Sequence, residues 1–334
     1  MSKIFITGIA GFLGSHLADR MINLGHEIAG NDTLIGGYIE NVNPKAKFYN
    51  IDCNDIDAMT SAIKGSDIVV HAAATAHEGL SIFSPHFITK NIFGASVSTI
   101  SAAIQNKVKR FVFCSSMARY GNQVHPFSET QSPMPIDPYA IAKVASEDVL
   151  KSLAPMNDME WIIAVPHNIV GPRQKFDDPF RNVMSIMINR ILQGKPPIIY
   201  GDGTHIRCFS FIDDCIYCLE KLILDEKIKN DIFNIGPDEE TITIKDLAYM
   251  IIKEMNYQGE PLFIDKRPKE IEHAICSSNK ARKYLGYKTN TNLLDGLRST
   301  INYIKLVGPR PFNYDYPLEI INSQTPKTWS EKLM

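Results

Sequence analysis

Apolar residues in the first half of the chain fall into short runs separated by longer stretches of helical period. Ile4-Phe5-Ile6 leads into Thr7-Gly8-Ile9-Ala10-Gly11-Phe12-Leu13-Gly14, and residues 15–22 follow with apolar positions at helical spacing. That succession reads as buried strand, tight glycine turn and helix. Further strands are expected at 27–31, 47–50, 68–72, 110–114 and 161–165, with helices near 56–63, 87–105 and 139–153 between them. Short apolar strands alternating with helices imply an α/β class, a doubly wound parallel sheet covered on both faces. Such sheets take their ligands at the carboxyl ends of the strands.

Beyond Pro166 the alternation loosens. Helices are expected near 182–193, 214–222, 244–255 and 293–304, with apolar runs at 198–200, 208–211 and 231–236. This predicts a smaller C-terminal lobe closing over the first domain. The first domain is expected to span 1–167 and to return at 206–235, leaving 168–205 and 236–308 to the lobe. Residues 309–334 carry several prolines without periodicity and read as a surface-draped tail.

Composition narrows the picture only modestly. The 334 residues are 44% apolar and 22% charged, which suits a globular protein with ample length for a core. A net charge of −2 argues against a surface that coats nucleic acid. No run reads as a membrane span or an export signal, so a cytoplasmic chain with six reduced cysteines is expected. Cys215-x-x-Cys218 falls on one face of a predicted helix with no second pair or histidine cluster nearby. It reads as two small buried residues, and no metal is expected.

Candidate chemistry sits at the strand ends. Gly8, Gly11 and Gly14 let the backbone turn sharply and approach a pyrophosphate, while the helix opening at Phe12 and Leu13 points unpaired N–H groups at the anion. Asp32, about twenty residues on, is placed to accept the ribose hydroxyls of adenosine, which favours NAD over a 2′-phosphorylated cofactor. Asp52, after the third strand, is placed for the adenine amino group. Tyr139 and Lys143 lie four apart on one helix face, where an ammonium would favour the phenolate. A phenol tuned in this way can take a hydroxyl proton while a nicotinamide takes the hydride. Ser116, at a strand end, is placed to hydrogen-bond the reacting oxygen.

With these residues in order, the chain resembles the extended short-chain dehydrogenase/reductase superfamily, and within it the nucleotide-sugar epimerase/dehydratase group. The resemblance rests on residues 7–14, His71-Ala72-Ala73, residues 115–121, Pro138-Tyr139-x-x-x-Lys143, residues 168–174, Gly201-Asp202-Gly203 and Phe211-Ile212-Asp213-Asp214. It implies a Rossmann-type sheet, a catalytic set of Ser116, Tyr139 and Lys143, and NAD held also by Ala72, Ala73, Asn91 and Pro166. By the same resemblance Asn168, Gln174, Arg207, Arg267 and Glu270 hold the UDP portion of a UDP-sugar. His77 and Glu78 fall on the segment that lines the sugar site. Ala274 falls where related 4-epimerases place a gate beside the sugar 2-substituent, and its small size would admit N-acetyl groups. A homodimer through helix 87–105 and the Tyr139 helix is also implied.

Beside the catalytic serine, relatives that dehydrate, decarboxylate or epimerise by proton abstraction carry acidic or thiol groups, whereas this chain has Met117 and Ala118. Neither moves a proton. The reading is an NAD-dependent 4-epimerase of UDP-N-acetylglucosamine or UDP-glucose type. A C4 oxidase or 4-ketoreductase stays open, as, further off, do a 4,6-dehydratase and a non-catalytic NAD(H) sensor. Cys208 and Ser210 depart from the family pattern. Arg119 is compatible with a structural ion pair and with a reach toward substrate.

Overall fold

A computed structural model describes residues 1–334. The apolar runs become strands β1 (Lys3–Thr7), β2 (Glu27–Asn31), β3 (Lys47–Tyr49), β4 (Ile68–His71), β5 (Arg110–Cys114), β6 (Glu160–Pro166) and β7 (Asp231–Ile235). All pair in parallel, in the order β7-β6-β5-β4-β1-β2-β3. Alternate residues serve opposite faces. Ile4 and Ile6 pack under helices Phe12–Asn23 and Ile212–Leu224, while Phe5 packs with Met59, Ile63 and Ile100 on the other side. Each such side chain, fully removed from water, contributes roughly 1.5–3 kcal/mol.

Strand order reverses between β1 and β4, where Thr7 pairs with His71. The crevice outside the carboxyl ends at such a reversal is where a doubly wound sheet binds its ligand. Thr7 Oγ1 and His71 Nδ1 lie 2.9 Å apart, and the Ala73 N–H donates to Thr7 Oγ1 at 3.0 Å, which ties the two strand ends together. Burial holds the His71 imidazole neutral, with a pKa near 3.

The second lobe is built around helices Val183–Leu192, Ile244–Met255 and Leu293–Val307, which share a core of Met187, Ile188, Leu247 and Leu297. Its small sheets include Ile206–Cys208 between Thr241–Thr243 and His273–Ala274. Residues 206–208 therefore belong to the lobe. The chain rejoins the Rossmann domain only at helix Ile212–Leu224, a little after the expected boundary at 206. Cys215 and Cys218 face the core of that domain.

Three further expectations change. The helix expected at 87–105 runs Pro85–Gln105 and contains a π-helical turn at Lys90–Gly94. It is, with a mean hydropathy of 1.2, long and apolar enough to cross a membrane, although the sequence reading found no such run. In the fold its Ile88, Ile92, Ala95 and Ile100 are buried in the protein core. Finally, the tail 309–334 is not merely draped on the surface. Tyr316 and Trp329 are only 6% and 1% exposed and join a buried cluster with Phe83, Phe180 and Tyr139.

Candidate active site

A single continuous cleft runs past the carboxyl ends of β1, β4, β5 and β6 into the second lobe. At its floor Gly8 adopts φ +72°, and a Cβ there would stand 2.9 Å from the Ala73 backbone. At Gly14 a Cβ would stand 2.2 Å from the Gly8 carbonyl oxygen, so no larger residue fits. Gly11 caps helix Phe12–Asn23 without any side-chain hydrogen bond, and no acidic residue stands in the first turn. The unpaired N–H groups of that turn, with Phe12 and Leu13 on the cleft wall, are left for an anion. Asp32 accepts N–H bonds from Ala10 (3.1 Å) and Leu34 (2.8 Å), and burial pushes its carboxyl above the ordinary range. Each of its oxygens keeps a lone pair for a hydroxyl donor. Asp52, Ala72, Ala73, Asn91 and Pro166 line the same cleft. Asn91 sits on the π-helical turn and accepts from Asn54 Nδ2 at 3.3 Å, which leaves its own amide donors available. A glycine floor, an uncapped helix end and a buried carboxylate beyond them fit a dinucleotide.

Next to this cradle, Asp137 caps helix Pro138–Leu153 by accepting the Ala140 N–H at 2.9 Å and so sets Tyr139 on its first turn. Ser116 caps the short turn Met117–Tyr120 and accepts the Ala118 N–H at 3.2 Å. Burial, and then the Glu78 carboxylate, push the Tyr139 phenol well above the usual tyrosine range, while the Ser116 hydroxyl and Arg181 pull it down. Lys143 lies 4.9 Å over the Phe113 ring and donates to the Cys114 carbonyl at 2.7 Å; burial lowers its amine to about 8. The expectation that Lys143 tips Tyr139 to the phenolate is thus not met by the chain alone. Met117 and Ala118 are both buried and bring no proton-transfer group.

Arg119 proves structural. Its guanidinium donates to Glu147 Oε2 at 2.9 Å and to the Tyr120 hydroxyl at 3.2 Å, and Tyr120 in turn donates to Asn234 at 2.8 Å. Ser115 donates to the other oxygen of Glu147. This buried chain braces the loop that carries Ser116.

At the far end of the cleft stand Asn168, Gln174, Arg207, Arg267 and Glu270. Asn168, in left-handed backbone (φ +44°), donates to the Cys208 carbonyl at 3.0 Å. Gln174 donates to the Ile169 carbonyl at 2.8 Å and to Asn182 Oδ1 at 3.1 Å and accepts from Ser185 at 2.6 Å, so both amide hydrogens are spent within the protein. Glu270 lies 2.5 Å from Arg267 and 3.9 Å from Arg207, and it gathers both cations on one wall. Glu78 lines the cleft with an exposed side chain, and desolvation there, followed by the Asp137 carboxylate, pushes its carboxyl up. His77 is buried in the cleft wall. Its Nε2 pairs with Asp178 at 2.6 Å, and its Nδ1 is enclosed without a partner.

Ala274 does not reach the cleft. It is buried in the strand beside Arg207, among Phe127, Ile271 and Cys276, so the inferred gate is absent at that position. The two departures from the family pattern also point away: Cys208 Sγ bonds the Glu240 carbonyl at 3.1 Å, and Ser210 donates to the His167 carbonyl at 2.7 Å. Arg181, Asp178, Tyr200, Tyr316 and Met334 line the cleft and were missed, for none lies in a motif with diagnostic spacing.

Comparison with known proteins agrees with this geometry. A putative UDP-glucose 4-epimerase of Methanocaldococcus jannaschii is 30% identical over 308 residues, covering 90% of this chain and 98% of its own. The crystal structure of UDP-glucose 4-epimerase from Thermotoga maritima with UDP-glucose is 31% identical with a TM-score of 0.85, covering 91% of this chain and 99% of its own. UDP-N-acetylglucosamine 4-epimerase from Methanobrevibacter ruminantium, in complex with UDP-N-acetylmuramic acid, is 27% identical with a TM-score of 0.84, covering 92% and 99%. Residues 4–236, from the glycine cradle through the Ser116, Tyr139 and Lys143 cluster to the last sheet strand, match the NAD dependent epimerase/dehydratase family. NAD is accordingly the dinucleotide that the cradle takes, and the chain belongs to that family.

Proposed function

We propose that this protein is a UDP-sugar 4-epimerase that oxidises and re-reduces the sugar at C4, with UDP-glucose and UDP-N-acetylglucosamine as the candidate substrates. The observation that carries the reading is the Ser116, Tyr139 and Lys143 cluster, with Met117 and Ala118, which carry no transferable proton, in the two positions after the serine. NAD, when bound, supplies the hydride acceptor and donor. With the positive charge of bound NAD favouring its phenolate, Tyr139 Oη would take the proton of the C4 hydroxyl and later return one to the ketone oxygen, with the Ser116 hydroxyl orienting that oxygen. Arg207 and Arg267 clamp the diphosphate as guanidinium forks while the 4-keto sugar turns its other face. Nothing in that sequence needs a further acid or base. Ala274 supplies no preference between N-acetylated and unsubstituted sugars, so both belong in the test.

A second reading draws on Glu78. A carboxyl that lines the cleft and acts on the Tyr139 phenol can move a proton at a carbon next to the ketone, as a dehydratase requires. One experiment separates them. Purified protein is incubated with UDP-sugars in deuterated water without added cofactor, and C4 configuration is followed by NMR. Catalytic interconversion of a C4 pair without deuterium in the carbon skeleton supports epimerisation. Deuterium at a carbon beside C4, loss of water, or turnover only with an added electron partner overturns it. Tyr139→Phe is expected to abolish turnover and leave nucleotide-sugar binding in place.

A homodimer is part of the same proposal. Helices Pro85–Gln105 and Pro138–Leu153 leave Phe93 and Ile141 38% and 53% exposed. Two copies of this pair would cover them, and Ile141→Glu is expected to give a monomer on size-exclusion chromatography.

A further inference from the structure

Two lobes would suffice to form a cleft, yet this one has a third wall. The relatives reported above are covered over 98–99% of their own length by 90–92% of this chain. The family match ends at residue 236, and residues 309–334 lie beyond it. That segment is tied to three separate elements. Tyr316 donates its hydroxyl to the Ile35 carbonyl at 3.1 Å, on the loop after Asp32. Glu319 accepts the backbone N–H groups of His86 (2.9 Å) and Phe87 (2.8 Å) at the start of helix Pro85–Gln105. Asn313 donates its N–H to the Asp177 carbonyl at 2.8 Å, and Trp329 Nε1 donates to the Pro179 carbonyl at 3.2 Å, both in the second lobe.

Its aromatic residues stand against groups that line the cleft. The Tyr316 ring is 4.6 Å from His77, whose other tie is Asp178. Trp329 packs on Gly79 so closely that a Cβ there would meet the indole at 3.2 Å. The Arg267 guanidinium lies 4.4 Å from the Tyr200 ring and 5.9 Å from the Trp329 ring. Met334 joins Ile186 and Ile198 where the second lobe borders the cleft. A flexible arginine held in advance between aromatic rings and a carboxylate meets a phosphate without having to be ordered first.

We propose that residues 309–334 are a substrate-binding element, in which Trp329 positions Arg267 for the diphosphate and Tyr316 positions the His77–Gly79 turn for the sugar of a UDP-sugar. This rests on the UDP-sugar reading above. Both are positioning residues, and their effect falls on binding more than on the chemical step.

The test is calorimetric titration of the full-length, NAD-loaded protein with UDP and with UDP-glucose, read without turnover. Trp329→Ala is expected to weaken UDP at least tenfold. Tyr316→Leu is expected to weaken UDP-glucose while leaving UDP within twofold, and both variants should keep their NAD. If turnover is measurable, KM rises while kcat stays within threefold. Affinities within twofold of wild type for both ligands in both variants overturn the inference. Should Trp329→Ala fail to fold, Trp329→Phe keeps most of the apolar volume, and unchanged UDP affinity there overturns it equally. A wild type that binds UDP-glucose without epimerising it overturns the reaction alone. A wild type that binds neither ligand overturns the UDP-sugar reading and this inference with it.

Discussion

The buried pair Arg119–Glu147 gives the sharpest stability prediction. The two side chains are 2% and 0% exposed and 2.9 Å apart. Glu147 is also the acceptor for Ser115, one residue before the catalytic serine candidate. Glu147→Gln preserves shape and removes the carboxylate charge, which leaves a guanidinium buried without a counter-charge. Breaking a buried pair in this way costs about 3–5 kcal/mol. Unfolding entropy of about 2.1 cal/mol/K per residue amounts to ~0.7 kcal/mol/K over this chain, so Tm is expected to fall by ~4–7 °C. The double variant Arg119→Met/Glu147→Gln removes the orphaned charge as well and should recover part of that loss. Thermal unfolding followed by circular dichroism, at fixed protein and NAD concentration, measures both. A Glu147→Gln protein that melts within about 1 °C of wild type, or a double variant as poor as the two single losses added, would refute the brace. Because Ser115 loses a charged acceptor, kcat should fall in the same variant, and an unchanged kcat would show that the network does not reach Ser116.

Other expectations follow from the cleft. Gly14→Ala should yield protein that purifies without NAD, since its new Cβ would sit 2.2 Å from the Gly8 carbonyl; NAD released by acid denaturation is the readout. Glu78→Gln removes an anion that raises the Tyr139 phenol. The phenol pKa should drop, and the acid limb of the kcat/KM–pH profile should move to lower pH; an unmoved limb would separate Glu78 from Tyr139. In the wild type the Lys143 amine, lowered to about 8, loses its proton as pH rises through that value. Activity that depends on its ammonium should decline above about pH 8, and Lys143→Met should abolish that decline along with most turnover.

Much of the Rossmann half is legible because one physical rule governs it. A parallel strand buried on both faces must be apolar throughout, and the crossover helix must show helical period, so local composition reports the element. The π-helical turn at Lys90–Gly94 is not legible, since its extra residue leaves the hydrophobic period almost unchanged. The small sheet that joins Ile206–Cys208 to His273–Ala274 pairs residues far apart in the chain, and this displaced both the domain boundary and the placing of Ala274. Counting forward from Arg267 fails there because no motif marks where the strand begins. Pro-rich spacing in 309–334 hides its role for a similar reason: aromatic residues without period bury themselves in pockets made by other segments.

By itself, then, the amino-acid order determined the sheet, the glycine cradle and the positions of Ser116, Tyr139 and Lys143, because each depends on residues close together in the chain. Only the tertiary structure decided the electrostatics around Tyr139, where burial and Glu78 outweigh the neighbour four residues along the helix. It likewise decided that Arg119 braces a loop, that His77 is held by Asp178, and that Tyr316 lines the cleft while Trp329 packs behind it against Gly79. Those outcomes depend on desolvation and on contacts between distant segments, quantities that no local spacing encodes.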